Sequence, residues 1–373
     1  MIVAFEDWVR LGDRGRFDVC VVGAGPAGIE ISTSLARGRQ RILVLEAGGP
    51  AYDAGVQARH AHSESGQPLL GGAFSFRAGA TGPAADQVRM RVLGGTGTIW
   101  SGKWKLPDAI DFENRLWVSP ARWPAGLREI EPHARAVMTD HAVPVQPLLA
   151  DHLAAARGFM PGLVSVRHFE QSPPCDFAAK YREQLEQAQN LTVVTGAQVC
   201  ELLPASGGAG VSAALAAGVS GERVEVGADV FVLAVGGIET ARLLLASRRF
   251  GPAGAGDEHG HVGVGFMDHP KTRLGIFFPR RPSDVDFLAG SPAGRRHGLF
   301  RRISLPHADQ RELEIPNHAL GFLATEPMHT TLKGCARRLL GRTRPCECIL
   351  FMEQTDNAAS RVTLSEKLEP SDS

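Results

Sequence analysis

The clearest chemistry in this chain lies in three glycines spaced Gly23-x-Gly25-x-x-Gly28 and in a carboxylate, Glu46, 18 residues beyond the last of them. Such a glycine set suits a phosphate pair. Gly23 permits a tight turn, Gly25 lets a pyrophosphate approach the backbone, and Gly28 lets a helix pack closely on a strand. The amino terminus of that helix then favours the negative charge. Glu46 lies near the spacing of about 20 residues at which a carboxylate meets a ribose hydroxyl. Together the four residues point to an ADP moiety, though they do not separate FAD from NAD. Their alternative reading is a Gly-rich turn with Glu46 as a solvated strand-end charge.

The elements needed to position these residues are legible around them. Phe17 to Val22 (FDVCVV) is a short apolar run, Ile29 to Ala36 has apolar residues at helical spacing, and Arg41 to Leu45 (RILVL) is a second apolar run. This order predicts strand, turn, helix, strand, a βαβ unit. Further along, the spacing predicts helices over 122–140, after an initial turn, and over 176–189. Strands are predicted at 191–195 and 198–203, with a surface hairpin within 204–223. Val230 to Val235 (VFVLAV) reads as a fully buried strand leading through Gly236-Gly237 into a helix over 238–247. Residues 51–87, rich in Gly, Ala, Ser and Pro, read as a long irregular excursion of the kind that often covers a ligand. From about residue 273, RLGIFF, HALGFLA and ECILFMEQ alternate with basic and proline-containing connections, which predicts an antiparallel sheet.

Bulk properties exclude some function classes. Lys plus Arg and Asp plus Glu each number 40, so no net charge draws the chain to nucleic acid or to an anionic membrane. With 43 glycines, 24 prolines and 43% hydrophobic residues, the composition fits a loop-rich α/β enzyme. The first 15 residues carry too many charges for a secretory signal, and no window approaches the roughly 20 apolar residues of a membrane span. The expectation is a soluble, cytoplasmic protein. Cys335, Cys346 and Cys348 match no ordinary paired-ligand spacing, so no metal is expected.

Several segments resemble the glucose-methanol-choline (GMC) oxidoreductases. Val44 to Gly49 (VLEAGG) continues as in flavoproteins of that family, which adds Ala47 and Gly48 to the expected site. Leu93 to Gly102 (LGGTGTIWSG) is similar to the GMC loop along the flavin, with Gly94, Gly95, Thr96, Gly97 and Gly102 as cofactor-side residues. Trp100 stands where many members carry asparagine. It is either a half-buried packing aromatic or a substrate-facing group. Asp111-Phe112, Arg122-Trp123-Pro124 and Glu131-Pro132 resemble the approach to the family's substrate-side helix. Leu191 to Val199 resembles the strand pair whose backbone near Val199 meets adenine, and Val235 to Ser247 resembles the second flavin motif, with Gly236 and Gly237 beneath the dinucleotide. Val262 to Pro270 and Glu353 to Ser365 also match. His269, in the first of these, has a mainly structural role in the family, and no catalytic residue is assigned.

The resemblance implies an α/β fold in which a Rossmann-like FAD-binding domain is joined to an antiparallel-sheet substrate domain. The expected parts are 1–110 and 176–270 for FAD binding, 111–175 for the substrate-side cap, and 271–373 for the substrate domain. FAD should be held non-covalently, since no His or Cys lies between Leu93 and Trp104. The implied reaction is hydride transfer to flavin from a CH–OH group of a sugar, polyol or other alcohol. The family's carboxyl-terminal histidine and the segment closing the flavin domain find no counterpart here. A carboxyl-terminally shortened form with weak FAD affinity and little activity is therefore expected. A chain completed by another polypeptide, or a flavin fold in an altered, non-catalytic role, are the alternatives. An NAD-dependent dehydrogenase leaves the 93–102 and 235–247 motifs unexplained.

Overall fold

A computed structural model describes residues 1–12, 15–59, 89–100, 102–120, 122–143, 164–172, 176–208, 210–268, 270–279, 298–324 and 345–365. The chain divides into two compact units. The first comprises 1–100, 175–266 and 357–373, and the second 101–174 and 267–356.

The first unit is built on a seven-stranded sheet. Its strands are β1 (Ile2–Ala4), β2 (Phe17–Val22), β3 (Ile42–Glu46), β6 (Leu191–Thr195), β7 (Gln198–Pro204), β8 (Val211–Ala217) and β9 (Arg223–Leu233), in the order β1-β6-β3-β2-β9-β8-β7. The pairs from β1 through to β9 are parallel, and β9, β8 and β7 form an antiparallel meander. Parallel pairing buries both faces of a strand, which is why β3 reads ILVLE with all five residues buried. Helix α1 (Phe5–Leu11) contributes Phe5 and Trp8 to the core, where they join Phe17, Leu43, Leu45, Val194 and Val199. Helix α2 (Pro26–Leu35) begins with proline at its first turn, where the missing N–H is not needed.

Two expectations for this unit change in detail. Residues 230–235 are not a fully buried strand. They fall at the end of the longer β9, where Val230 is 53% exposed and Phe231, Val232 and Leu233 are half-buried. Among the described residues only the first part of β9 pairs with β8, so its second part has β2 on one side alone. The expected single helix over 176–189 is two short ones, Phe177–Lys180 and Arg182–Gln187, broken at Tyr181. Tyr181 is buried and its hydroxyl donates to Glu30 at 2.6 Å, an anchor worth more than helical continuity.

The second unit carries a six-stranded sheet of β4 (Lys103–Trp104), β5 (Ser165–Gln171), β10 (Lys271–Phe277), β11 (Gly298–Ser304), β12 (His318–Ala324) and β13 (Cys346–Met352), in the order β10-β13-β12-β11-β5-β4. Every pairing is antiparallel. Ile303, Phe322 and Cys346 form its buried cluster. Helix α3 (Leu127–Asp140) belongs to this unit. It keeps Pro132 inside its first two turns, and Glu129 accepts the Gly126 backbone N–H at 3.0 Å.

Candidate cofactor site

The glycine turn after β2 is shaped by contacts a larger residue would prevent. Gly23 has φ +96°, a left-handed value, and its N–H donates to Leu45 at 2.8 Å, tying the turn to β3. A Cβ on Gly28 would lie 1.9 Å from the Gly23 carbonyl oxygen, so this glycine sets the close seating of α2 on the turn. Gly25 differs. Its φ of −74° suits any residue, and the nearest atom to a Cβ there would be the Ala234 oxygen at 3.9 Å. The fold therefore does not need glycine at position 25.

Glu46 closes the end of β3. It is only 6% exposed, with Oε2 accepting the Ala24 N–H at 2.8 Å and Oε1 accepting the Gly48 N–H at 2.7 Å. Burial pushes its carboxyl up to about 7, against the opposing effects of the two N–H donors and the Arg91 charge. Each oxygen retains a second lone pair, so a ribose hydroxyl can still donate to the carboxylate. Ala47 is half-buried, while Gly48 is buried at a point where a Cβ would strike the Arg91 carbonyl carbon at 2.2 Å.

Gly95–Thr98 folds as a 3₁₀ turn directly on this corner, with Gly94 in a left-handed conformation just before it. Gly94 donates to Ala24 at 2.9 Å, and a Cβ on Gly95 would come within 2.9 Å of the Gly25 Cα. Gly97 faces Pro26 and Phe177, Thr96 is exposed, and the Thr98 hydroxyl donates back to the Gly95 carbonyl at 2.8 Å. Trp100 is half-buried against Phe177, with ring centroids 5.6 Å apart. Gly102 lies in the second unit, where its carbonyl accepts the Ser172 N–H at 2.9 Å.

The end of β9 completes the corner. The Ala234 N–H donates to Val22 at 2.8 Å, and Ala234 and Val235 are the atoms that a Cβ on Gly23 would meet. Gly236 and Gly237 follow at once as the start of helix α4 (Gly236–Ala246), with open space where their side chains would be. Val199 sits differently from this group. Its side chain is buried in the core and its backbone pairs with Ala216, next to an irregularity in the β7–β8 register.

Sequence reasoning missed Arg91 and Ala234. Arg91 is 4% exposed and donates to the Gln198 side chain at 3.0 Å, which links the glycine loop to β7 across 107 residues. No local pattern announces so distant a contact. His269, Cys175 and Cys335 lie outside the described residues, as does most of 51–87. Among the described residues no cluster of His, Cys, Asp and Glu is suited to a metal, and no helix is long and apolar enough to cross a membrane.

No protein-family model matches the chain, and no curated protein matches it. Solved structures do. Pyridoxine 4-oxidase from Mesorbium loti aligns with a TM-score of 0.50 at 18% identity, over 90% of this chain and 71% of that one. A formate oxidase aligns over 92% of this chain and 73% of its own length, with a TM-score of 0.43 at 15% identity. A fungal aryl-alcohol oxidase covers 74% and 56%, with a TM-score of 0.47 at 13% identity. These neighbours are GMC oxidoreductases, and the fold expected from the sequence, a mixed α/β sheet with a separate antiparallel sheet, is the fold the chain has.

Proposed function

We propose that this chain is a GMC-type flavoprotein oxidoreductase that binds FAD non-covalently and oxidises a CH–OH group of a sugar, polyol or other alcohol. The observation that carries the reading is the convergence on one corner of the first unit. There the open backbone at Gly25, the buried carboxylate of Glu46, the Gly94–Gly97 loop and the Ala234–Gly237 segment come together. The likeness in fold to a pyridoxine 4-oxidase supports it.

The residues fit the cofactor. The α2 amino terminus and the Gly25 backbone would take the pyrophosphate, Glu46 the ribose, and the 94–97 loop the flavin side. FAD, when bound, supplies the hydride acceptor. The chain's own part is to hold the dinucleotide extended, to neutralise its phosphates with backbone N–H groups, and to keep the ribose contact in a site shielded from water.

The test is the absorbance spectrum of the purified protein, with and without sugars, polyols and other alcohols under anaerobic mixing. This reading expects flavin bands that bleach with one of these substrates, whereas the shortened, weakly active form expected from the sequence would give faint bands and little bleaching. A protein that stays colourless after incubation with FAD would overturn the reading.

A second reading, in which the flavin fold is completed by another polypeptide, is favoured by one feature. The last part of β9 pairs only with β2 among the described residues, which leaves its other backbone edge open there. Such an edge can accept a further strand. Light scattering of the natively purified protein distinguishes the two, since a complex with a second, different chain is expected only here.

A further inference from the structure

Residues 89–93, which lead into the Gly94–Gly97 loop, are held by buried polar side chains from three separate places in the first unit. Val92 bridges to Gly49, and the Leu93 N–H donates to the Gly49 carbonyl at 3.0 Å, so this stretch runs beside the chain that leaves β3. Gln57, in the short helix Ala54–Ala58, is 4% exposed. Its Nε2 donates to the Arg89 carbonyl at 2.8 Å, and its Oε1 accepts the Arg91 N–H at 2.8 Å. The side-chain amide thereby does for this backbone what a neighbouring strand would do. A slip of the chain by one residue would turn both backbone groups away from it, so the amide accepts a single register.

The other two tethers come from α4 and β7. Glu239, in the first turn of α4, accepts from the Arg89 guanidinium on one carboxylate oxygen and from the Arg242 Nε at 2.8 Å on the other. The Arg89 and Glu239 side chains are each 12% exposed. Arg91 adds its bond to the Gln198 side chain on β7. Buried ion pairs and amides seldom stabilise a fold more than apolar side chains of the same volume, because each group must first be desolvated. What a fully bonded set does supply is one defined arrangement. Here it is the arrangement in which the Gly94 N–H reaches the Ala24 carbonyl at 2.9 Å and Gly95 lies against the Gly25 Cα. Through Arg89 the same stretch is tied to the helix that opens at Gly236 and Gly237.

We propose that Gln57 and Glu239 are positioning residues: acting through the 89–93 backbone, they hold the Gly94–Gly97 loop in register over the Gly25 turn and so preset the surface that a dinucleotide meets. The proposal rests on the reading of this corner as the FAD site, and it adds two residues that support the site from behind. Gln57 sets the register from the backbone side, and Glu239 fixes the same stretch to α4.

Hydrogen exchange of the cofactor-free full chain, read by mass spectrometry, tests this in Gln57→Met, Glu239→Gln and Ser247→Ala. Met keeps the length of Gln57 without its amide, and Gln keeps the shape of Glu239 without its charge. Ser247 is the control, buried in the same unit, with its hydroxyl accepting the Leu202 N–H at 2.9 Å and donating to the Leu243 carbonyl at 2.7 Å. Peptides spanning 92–98 are expected to exchange roughly tenfold faster in Gln57→Met and in Glu239→Gln, as the loss of one or two buried hydrogen bonds implies, while β2 and β3 keep their protection. In Ser247→Ala the 92–98 peptides should exchange as in the parent. FAD affinity, measured on the same proteins by quenching of flavin fluorescence, should fall roughly tenfold in the first two variants and hold in the control. If Glu239→Gln does not fold, Gln57→Met decides the matter. Unchanged exchange at 92–98 in folded Gln57→Met, an equal loss of protection there in Ser247→Ala, or parental FAD affinity in Gln57→Met would overturn the proposal. A parent that binds no FAD contradicts the proposed function, whereas faster exchange confined to 92–98 in the variants still supports the hold of Gln57 and Glu239 on the loop.

Discussion

The Glu46 carboxylate accepts the backbone N–H of Ala24, 22 residues away, at 2.8 Å, so the acid that ends β3 also fixes the turn that ends β2. A single side chain thus joins the two halves of the site. With Gly48 on its other oxygen, it holds both corner segments while keeping lone pairs for a ligand.

The burial of Glu46 sets a pH dependence. Its carboxyl titrates at about 7 in the folded chain, against 4.5 as the ordinary value, so the folded state binds the extra proton between these limits. Stability from this group is therefore present at pH 4.5 and lost as pH rises through 7, by about 3 kcal/mol for a shift of this size. Urea unfolding of the cofactor-free chain at pH 5 and pH 8 should show this fall. Glu46→Gln should lack that component, whatever stability it loses by presenting an N–H₂ group to one of the two backbone donors. An equal fall in the variant would contradict the account.

Two glycines of the same motif should fail in different ways. Gly25→Leu is expected to fold, because position 25 has an ordinary φ and open surroundings, yet to lose FAD retention. Gly28→Ala is expected to lose roughly 1–3 kcal/mol of stability or more, since its Cβ would fall on the Gly23 carbonyl oxygen. Thermal melts and flavin content of both variants measure this. A Gly25→Leu protein that retains flavin fully would remove the pyrophosphate assignment.

Within the second unit, Arg115 holds Glu353 through two hydrogen bonds, at 2.7 and 3.0 Å, and is itself 7% exposed. Glu353 also accepts the Asn317 N–H at 3.0 Å. Arg115→Met should therefore cost about 3 kcal/mol by leaving a partly buried carboxylate without its cation. Arg115→Met combined with Glu353→Gln should recover part of the loss. Denaturant midpoints of the two variants decide it, and a single variant as stable as the parent contradicts the role.

The sequence was most informative where chemistry and local geometry coincide. Strand β2, the glycine turn, α2 and β3 were legible because apolar runs, glycines and an acid at set spacing act within 30 residues of each other. The exposure of Val230 was not legible, because an apolar run looks alike whether its neighbours cover both faces or one. Nor was the break at Tyr181, where the bond to Glu30 spans 151 residues and overrides helical periodicity.

The central claim, that the Gly23–Gly28 corner with Glu46 holds FAD, is tested most directly by the visible spectrum of the purified full chain beside that of Gly25→Leu. The account predicts flavin bands in the parent and their loss in the folded variant. A colourless parent after incubation with FAD, or equal flavin in both proteins, would contradict it.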